Sequence, residues 1–356
     1  MITISLCMIV KNEADVLARC LDSVKDAVDE IIIVDTGSTD ETKNIALRYT
    51  DKLYDFEWVD DFAAARNRSY EKSTMDYQMW LDADDIISPE SLSAMLELKK
   101  TLDISIEMVT MKYITHWDAN GYPLLCSTRE RLTRRDLNKQ WQGAVHECIP
   151  LGGNYLETDI AVWHKKLHCG DLKRNINIYL KMLENKKSFL PRDQYYFARE
   201  LKENGRYVES AMWFAKFLDD GQGWVEDNIA SCLSLALCYK NMGRNDKILP
   251  ALTRSFLYDA PRPEICTRIG YYYKEKKNFE CALKWFLTAL GASNRSSKGF
   301  VLLDYCGYIP CIEACVCSGE LGDLGSAKIY NEKAAEYRPE SPAVINNRKY
   351  LEARGV

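Results

Sequence analysis

"EIIIVDTGSTDET", residues 30 to 42, is a run of β-branched residues that stops at an aspartate and turns over Gly37. A strand so uniformly apolar leaves no face for water, as expected of a parallel strand covered on both sides of a sheet. Before it stands a second apolar strand, "ITISLCMIV", and then "EADVLARCLDSVKDA", where Val16, Leu17, Cys20, Leu21 and Val24 share one helical face. After it come helical spacing in "DETKNIALRYT", a short strand in "KLYDF", a helix in "DFAAARNRSYEKS" and a strand in "YQMWLD". This alternation, sustained to about residue 170, predicts an α/β fold with a doubly wound, mostly parallel sheet. Ligands of such sheets bind beyond the carboxyl ends of the strands. Asp35 and Asp82 each end one of these strands, so both are expected to face the same crevice.

A second stretch sharpens the question of what binds there. "YQMWLDADDIISPE", residues 77 to 90, gathers Asp82, Asp84 and Asp85 at the mouth of a buried element. Like charges at this spacing repel unless a cation, or a polyanion with its metal, sits among them. Ser88 and Pro89 read as the N-cap and first turn of the next helix, which accounts for that end of the motif but not for the carboxylates. Neither a GxxxxGK[ST] loop nor a GxGxxG turn follows the first strand, so a P-loop NTPase and a dinucleotide dehydrogenase are both disfavoured.

Composition narrows the class. At 356 residues the chain is long enough for two domains, and 47% hydrophobic with 28% charged residues is ordinary for a soluble globular protein. A net charge of −5 with no long Lys/Arg run argues against general nucleic-acid binding. "MITISLCMIVKNEADV" has no basic n-region and meets a charge after ten residues, so neither a signal peptide nor a membrane span is expected there. Thirteen cysteines in so large a chain without an export signal are expected to be reduced thiols in a cytoplasm. Cys311, Cys315 and Cys317 in "CIEACVC" do not share one helical face and have no histidine beside them, so buried apolar positions are expected rather than a metal site.

From about residue 190 the strand pattern vanishes. "GRYVESAMWFAKFL", "GRNDKILPALTRSF", "KNFECALKWFLTAL" and "GDLGSAKIYNEKAA" align as helix-turn-helix segments, and their first residues, Gly205, Gly243, Lys277 and Gly322, are 38, 34 and 45 apart. Such periods resemble tetratricopeptide repeats, although Asn245 stands where an aromatic is usual and the last interval is long. The expected organisation is a first domain over 1–170, a linking helix over 171–190 with Ile178, Leu180 and Leu183, and a helical repeat domain over 191–356.

The order "KNEADV", "VDTGSTD", "DDFAAARNRS", "WLDADD" resembles family 2 glycosyltransferases of the GT-A fold, over roughly residues 3 to 165. The joint spacing of four motifs is far more specific than any one of them. The resemblance implies a nucleotide-sugar site in which Asp35 accepts a hydrogen bond from the base and Asn12 and Glu13 lie beside base or ribose. Gly37 and Ser38 would let backbone approach the nucleotide. Asp84 would hold Mn²⁺ or Mg²⁺ against the diphosphate, with Asp82 helping through ribose or metal-bound water. Arg66 would touch phosphate or pair with a carboxylate such as Asp84. Turn formation and helix capping are the plainer readings of Asp35 and Asp40.

"GAVHE", residues 143 to 147, resembles a segment of a subgroup of these enzymes, of the bacteriocin S-glycosyltransferase type, that also carries helical repeats. Inverting transfer needs a base on the acceptor side, and Glu147 is the candidate, with His146 orienting it or touching the diphosphate. His164 is a candidate metal ligand, while His116 and His168 are expected to be structural. Core packing is the expected role of Trp117 and Trp141, with sugar stacking as the sharper alternative. The resemblance thus implies a hexosyl- or N-acetylhexosaminyltransferase using a UDP-linked donor and a peptide or protein acceptor held by the repeats. A saccharide or lipid acceptor, or an inactive transferase serving as a scaffold, are the alternatives.

Overall fold

The apolar run at 31–34 lies in β2 (Glu30–Asp35), parallel to β1 (Ile4–Val10), with Val10 opposite Asp35. The structure, a computed structural model, describes residues 1–167, 171, 173–292 and 299–356. They divide into two units, Met1–Ser188 and Phe189–Val356.

In the first unit, β3 (Leu53–Asp55), β4 (Tyr77–Trp80), β5 (Asp85–Ile87), β6 (Met108–Trp117), β7 (Pro123–Arg134) and β8 (Tyr155–His164) extend the sheet. Its order is β3-β2-β1-β4-β7-β6-β8-β5. Of these eight strands only β7 and β5 run against the rest, so the sheet is mixed but mostly parallel. Both faces of its centre are covered, as the unbroken apolar runs require. Leu6, Met8 and Val10 pack with Leu17, Cys20 and Leu21 of α1 (Leu17–Val24). On the other face Cys7 and Ile32 meet Trp80, Trp141, and Ala63 and Tyr70 of a helix, Phe62–Glu71. That helix is α3, after the short α2 (Thr42–Ala46). α4 (Pro89–Thr101) begins as its sequence predicts, the Ser88 hydroxyl accepting from the Ser91 N–H at 3.2 Å, with Pro89 in the first turn. The parallel strands β1, β2 and β4 end at one edge, which brings Asp35 and the Asp82–Asp85 stretch to the same side of the sheet. α5 (Arg174–Glu184), within the segment read as a linker, belongs to this unit, and Ile178 and Tyr179 are buried.

The second unit is a succession of helices: α6 (Pro191–Glu203), α7 (Tyr207–Asp220), α8 (Val225–Asn241), α9 (Ile248–Thr253), α10 (Pro263–Glu275), α11 (Phe279–Ala292), α12 (Tyr308–Glu320), α13 (Leu324–Tyr337) and α14 (Pro342–Glu352). The four aligned residues Gly205, Gly243, Lys277 and Gly322 all take left-handed φ, at 73°, 70°, 58° and 83°. Each ends a helix in the same way: its N–H reaches back three residues and the next N–H reaches back five, closing a Schellman turn. A shared turn geometry therefore sets the repeat, even where the side chains diverge. The long last interval holds Val301–Leu302 and a 3₁₀ turn, Leu303–Cys306, between α11 and α12. Cys311, Cys315 and Cys317 are buried in α12, as expected of apolar positions, and burial pushes each thiol up to about 11. All cysteines among the described residues are free.

Lys277 is the one member of this set that carries a Cβ in the left-handed region, where an L side chain costs about 1–2 kcal/mol. Lys277→Gly should therefore raise the stability of the chain by roughly 0.5–1 kcal/mol, and Gly243→Ala should lower it by about 1 kcal/mol. Urea denaturation checks both signs. No change at Lys277→Gly would mean that the turn is not the strained point.

Candidate active site

Two loops at the strand ends are stitched together before any functional group is placed. Asn12, with φ 55°, donates its N–H to the Ser38 hydroxyl at 2.9 Å and accepts the Thr39 N–H on its side-chain oxygen at 2.8 Å. Glu13 donates its N–H to the Thr42 hydroxyl at 2.7 Å, and Asp40 accepts from the N–H groups of Ala14 and Thr42. Asp40 thus closes the turn into α2, one residue before the helix's N-cap position, Glu41. Asp35 is fully buried, and its Oδ1 accepts from the N–H groups of Gly37 and Ser38 at 2.9 and 2.8 Å. The turn reading of Asp35 is therefore correct for one oxygen. The other, Oδ2, is buried without a hydrogen-bond partner among the described residues. Such an orphan costs about 1–3 kcal/mol unless a ligand supplies the donor.

The three clustered aspartates separate into different environments. Asp82 accepts from Nη2 of Arg66 at 2.6 Å. Burial pushes its carboxyl up, but the guanidinium outweighs this and brings it down to about 2. Asp85 has no solvent exposure. Its Oδ2 accepts from the Asp82 N–H at 3.0 Å and from Arg131 Nη1 at 3.2 Å. Its Oδ1 accepts from the Tyr113 hydroxyl at 2.9 Å and lies 3.2 Å from His164 Nδ1. Asp84 is half-buried and faces the same imidazole nitrogen at 3.1 Å. Burial disfavours the charge on His164, yet the hydrogen bonds to Asp84 and Asp85 dominate and push it up to about 10. Glu13 is pushed up to about 7 by burial and then by the negative charge of Asp84 and Asp82.

Asp84, Asp85 and His164 offer one ligand atom each within 4.8 Å of one another. Asp85 already serves four protein donors, which leaves Asp84 and the Nε2 of His164 for a cation. An imidazole whose Nδ1–H is given to a carboxylate is the form in which histidine binds metals. Carboxylate oxygen plus imidazole suits a divalent ion such as Mn²⁺ or Mg²⁺.

Arg66 pairs with carboxylates, one of its two expected roles, but they are Asp82 and Glu147 where Asp84 had been the example. Its Nε donates to Glu147 at 2.5 Å, and its guanidinium lies 4.8 and 4.9 Å from the rings of Trp80 and Trp141. Burial works against its charge, but the two carboxylates more than offset that and hold it protonated. Asn67, the next residue, exchanges two hydrogen bonds with the backbone of Trp141. The "ARN" segment therefore fixes the start and the end of one loop. Gln142 and Cys148 bridge each other across this loop, and half-buried His146 sits in its turn with φ 53°. Trp141 is core, 3% exposed and edge-on to Trp80 at 5.2 Å. Trp117 is half-buried and lies under the Lys165 ammonium at 3.3 Å. His116 is exposed beside Thr115, and His168 lies outside the described residues.

Sequence reasoning passed over Tyr113 and Arg131, and it quoted Asp85 without giving it a role. Arg131 is fully buried, 3.6 Å from the Trp80 ring centre. Its signal was an arginine in strand alternation within "STRERLTRR": Arg129 and Arg131 project to one face, and both reach Trp80.

Breaking a buried ion pair from one side costs about 3–5 kcal/mol, because the partners stay charged and unpaired. Arg66→Met should lower unfolding free energy by roughly 3 kcal/mol, less than the maximum because Asp82 is a third exposed. With the low carboxyl pKa, Asp82's stabilisation is complete above its ordinary value of 3.8 and is lost as pH falls through about 2. Arg66→Met should flatten that acid limb in urea titrations, and a loss below about 1 kcal/mol would rule out the clamp.

Residues 5–153 match the family described as glycosyl transferase family 2, and residues 263–295 match the tetratricopeptide repeat. A TPR repeat-containing protein of Synechococcus elongatus is 50% identical over 149 residues, 42% of this chain and 36% of that protein. The SPbeta prophage-derived glycosyltransferase SunS of Bacillus subtilis is 27% identical over 285 residues, 76% of this chain and 65% of its own length. An uncharacterized glycosyltransferase of Rickettsia felis is 37% identical over 87 residues, 24% of this chain and 30% of that protein. This chain spans less than two thirds of the length of any of the three. The first unit carries a glycosyl transferase family 2 domain of GT-A type, and the second is helical and carries a tetratricopeptide repeat.

Proposed function

We propose that the chain is a metal-dependent, inverting glycosyltransferase that moves a hexose or N-acetylhexosamine from a UDP-linked donor to a peptide or protein side chain. The observation that carries this reading is the gathering of Asp35, Glu13, Asp82 and Asp84, all inside the stretch that matches glycosyl transferase family 2, at one sheet edge, with His164 of β8 beside Asp84. Asp35 offers its orphan Oδ2 to a base N–H, while Oδ1 keeps the Gly37–Ser38 turn closed. Asn12 and Ser38, bonded to each other, shape the wall on which base and ribose rest. Glu13, ionised late, can keep a proton near neutral pH and so donate to a ribose hydroxyl. Asp84 and His164 hold the cation, which when bound neutralises the departing diphosphate. Glu147 takes the acceptor proton, its carboxylate held by Arg66 and its loop fixed by Asn67, with His146 beside it. The repeats, an extended surface of stacked helices, hold the acceptor. No helix among the described residues is long and apolar enough to cross a membrane, and a cytoplasmic site of action is consistent with the free thiols.

Two measurements test the roles. Glu147→Gln cannot accept a proton, so turnover should fall about 10²- to 10⁴-fold while UDP-sugar affinity barely moves. Equal losses in both would assign Glu147 to the donor site. For the cation, calorimetric titration of Mn²⁺ should tighten about tenfold per pH unit from roughly 6 to 9, because His164 must shed a proton to become a ligand. His164→Gln should remove that slope, and Asp84→Asn should abolish Mn²⁺ binding without lowering the melting temperature. A UDP-sugar affinity unchanged in EDTA would refute the metal's part.

A further inference from the structure

The second repeat of the helical unit is the defective one, and the defect leaves a cavity. α7, α11 and α13 each run fourteen residues, whereas their counterpart α9 has six, framed by 3₁₀ turns at Asn245–Lys247 and Arg254–Leu257. Two substitutions account for this. Asn245 stands where the first and third repeats present Tyr207 and Phe279, so a large apolar group is missing at the helix start. Pro250 then removes a backbone donor inside the helix. The space left between α8, α9 and α10 is about 320 Å³. That lies at the lower end of the range for small-ligand pockets, about 300–1,000 Å³.

Its lining has a defined chemistry. Leu237, Ile248 and Leu252 form an apolar floor, and Tyr271 and Tyr305 form aromatic walls, the latter supplied by the 3₁₀ turn in the long connection before α12. Arg268 lies between the tyrosines, 6.0 and 5.4 Å from their ring centres. Its Nε is buried and has no hydrogen-bond partner, the guanidinium hydrogen-bonds the Tyr305 side chain, and among the described residues no carboxylate lies within ion-pair distance of it. Glu264, one turn earlier, is half-buried and not an ion-pair partner, while Glu275 at the rim is paired with Lys240. Arg268 thus lines a partly enclosed space above an apolar floor, its charge balanced by no carboxylate among the described residues, and the complement it lacks is an anion.

We propose that this cavity binds an apolar group bearing a carboxylate, whose oxygens meet Arg268 while its hydrocarbon or aromatic part rests on Leu237, Ile248 and Leu252 between Tyr271 and Tyr305. The chemistry is shared by a free aryl or alkyl carboxylic acid and by the C-terminal residue of a peptide. The inference is independent of the transferase reading, since every lining residue lies in the helical unit.

Calorimetry on the full chain with N-acetyl-L-phenylalanine and with its carboxamide tests this directly. The acid should bind saturably and at least about tenfold more tightly than the amide, the worth of one charge-assisted hydrogen bond in a low-dielectric site. Arg268→Met should bring the acid down to the affinity of the amide, and circular dichroism should show the same helix content. The wild-type pair decides the matter even if that variant fails to fold. A peptide ending in phenylalanine that binds more tightly than the free acid would identify a chain terminus as the ligand, and equal affinity a small acid. Equal binding of acid and amide, or no saturation by about 10 mM, would overturn the assignment.

Discussion

Asp85 is the carboxylate on which the first unit's site depends. It is entirely out of water, and a bare carboxylate there would cost several kcal/mol, so the chain must bring donors to it. They come from four directions: the N–H of Asp82, the hydroxyl of Tyr113 on β6, the guanidinium of Arg131 on β7, and the imidazole of His164 on β8. Because β5 pairs with β8 at Asp85 and His164 themselves, the requirement also fixes the strand register at this corner. With Asp85 committed inward, its neighbours are free to do something else. Asp82 turns to Arg66, and Asp84 faces His164 from the open side. The acidic cluster is therefore one structural anchor, one clamp partner and one available ligand, rather than three equivalent charges.

Arg66 extends that logic across the crevice. Its guanidinium joins Asp82, at the end of β4, to Glu147, in a loop reached only after three further strands. The candidate donor-side and acceptor-side carboxylates are in this way held by one cation, in a pocket walled by Trp80 and Trp141. Three arginines, Arg66, Arg129 and Arg131, approach the Trp80 ring, and the aromatic face compensates for charge that few solvent molecules can reach. Such an arrangement is stiff. A positioned carboxylate loses less entropy when substrate arrives than a mobile one would.

The helical unit reaches order by a different route. Its repeat rests on backbone turns with left-handed residues at Gly205, Gly243, Lys277 and Gly322, so side chains along the helices can vary widely without loss of the architecture. That tolerance is what permits a short α9 and the cavity beside it. Where an aromatic filler is absent, space persists because the neighbouring turns hold the helices apart.

Much was legible from local pattern. The apolar continuity of "EIIIVD" gave a doubly covered parallel strand, Ser88–Pro89 a helix start, and the glycine spacing the helical turns, because each of these is set by dihedral preference and period within a few residues. The motif order also pointed correctly to the transferase fold and to the crevice side of the sheet. What no local pattern holds is the pairing of charges. That Arg66 would meet Asp82 and Glu147 instead of Asp84, that Arg131 would be buried beneath Asp85, and that Tyr113 would complete the set depends on which strands become neighbours. Neutralising a buried charge is a problem in three-dimensional distance, and only the tertiary fold brings residues far apart in the chain into hydrogen-bonding contact with each other.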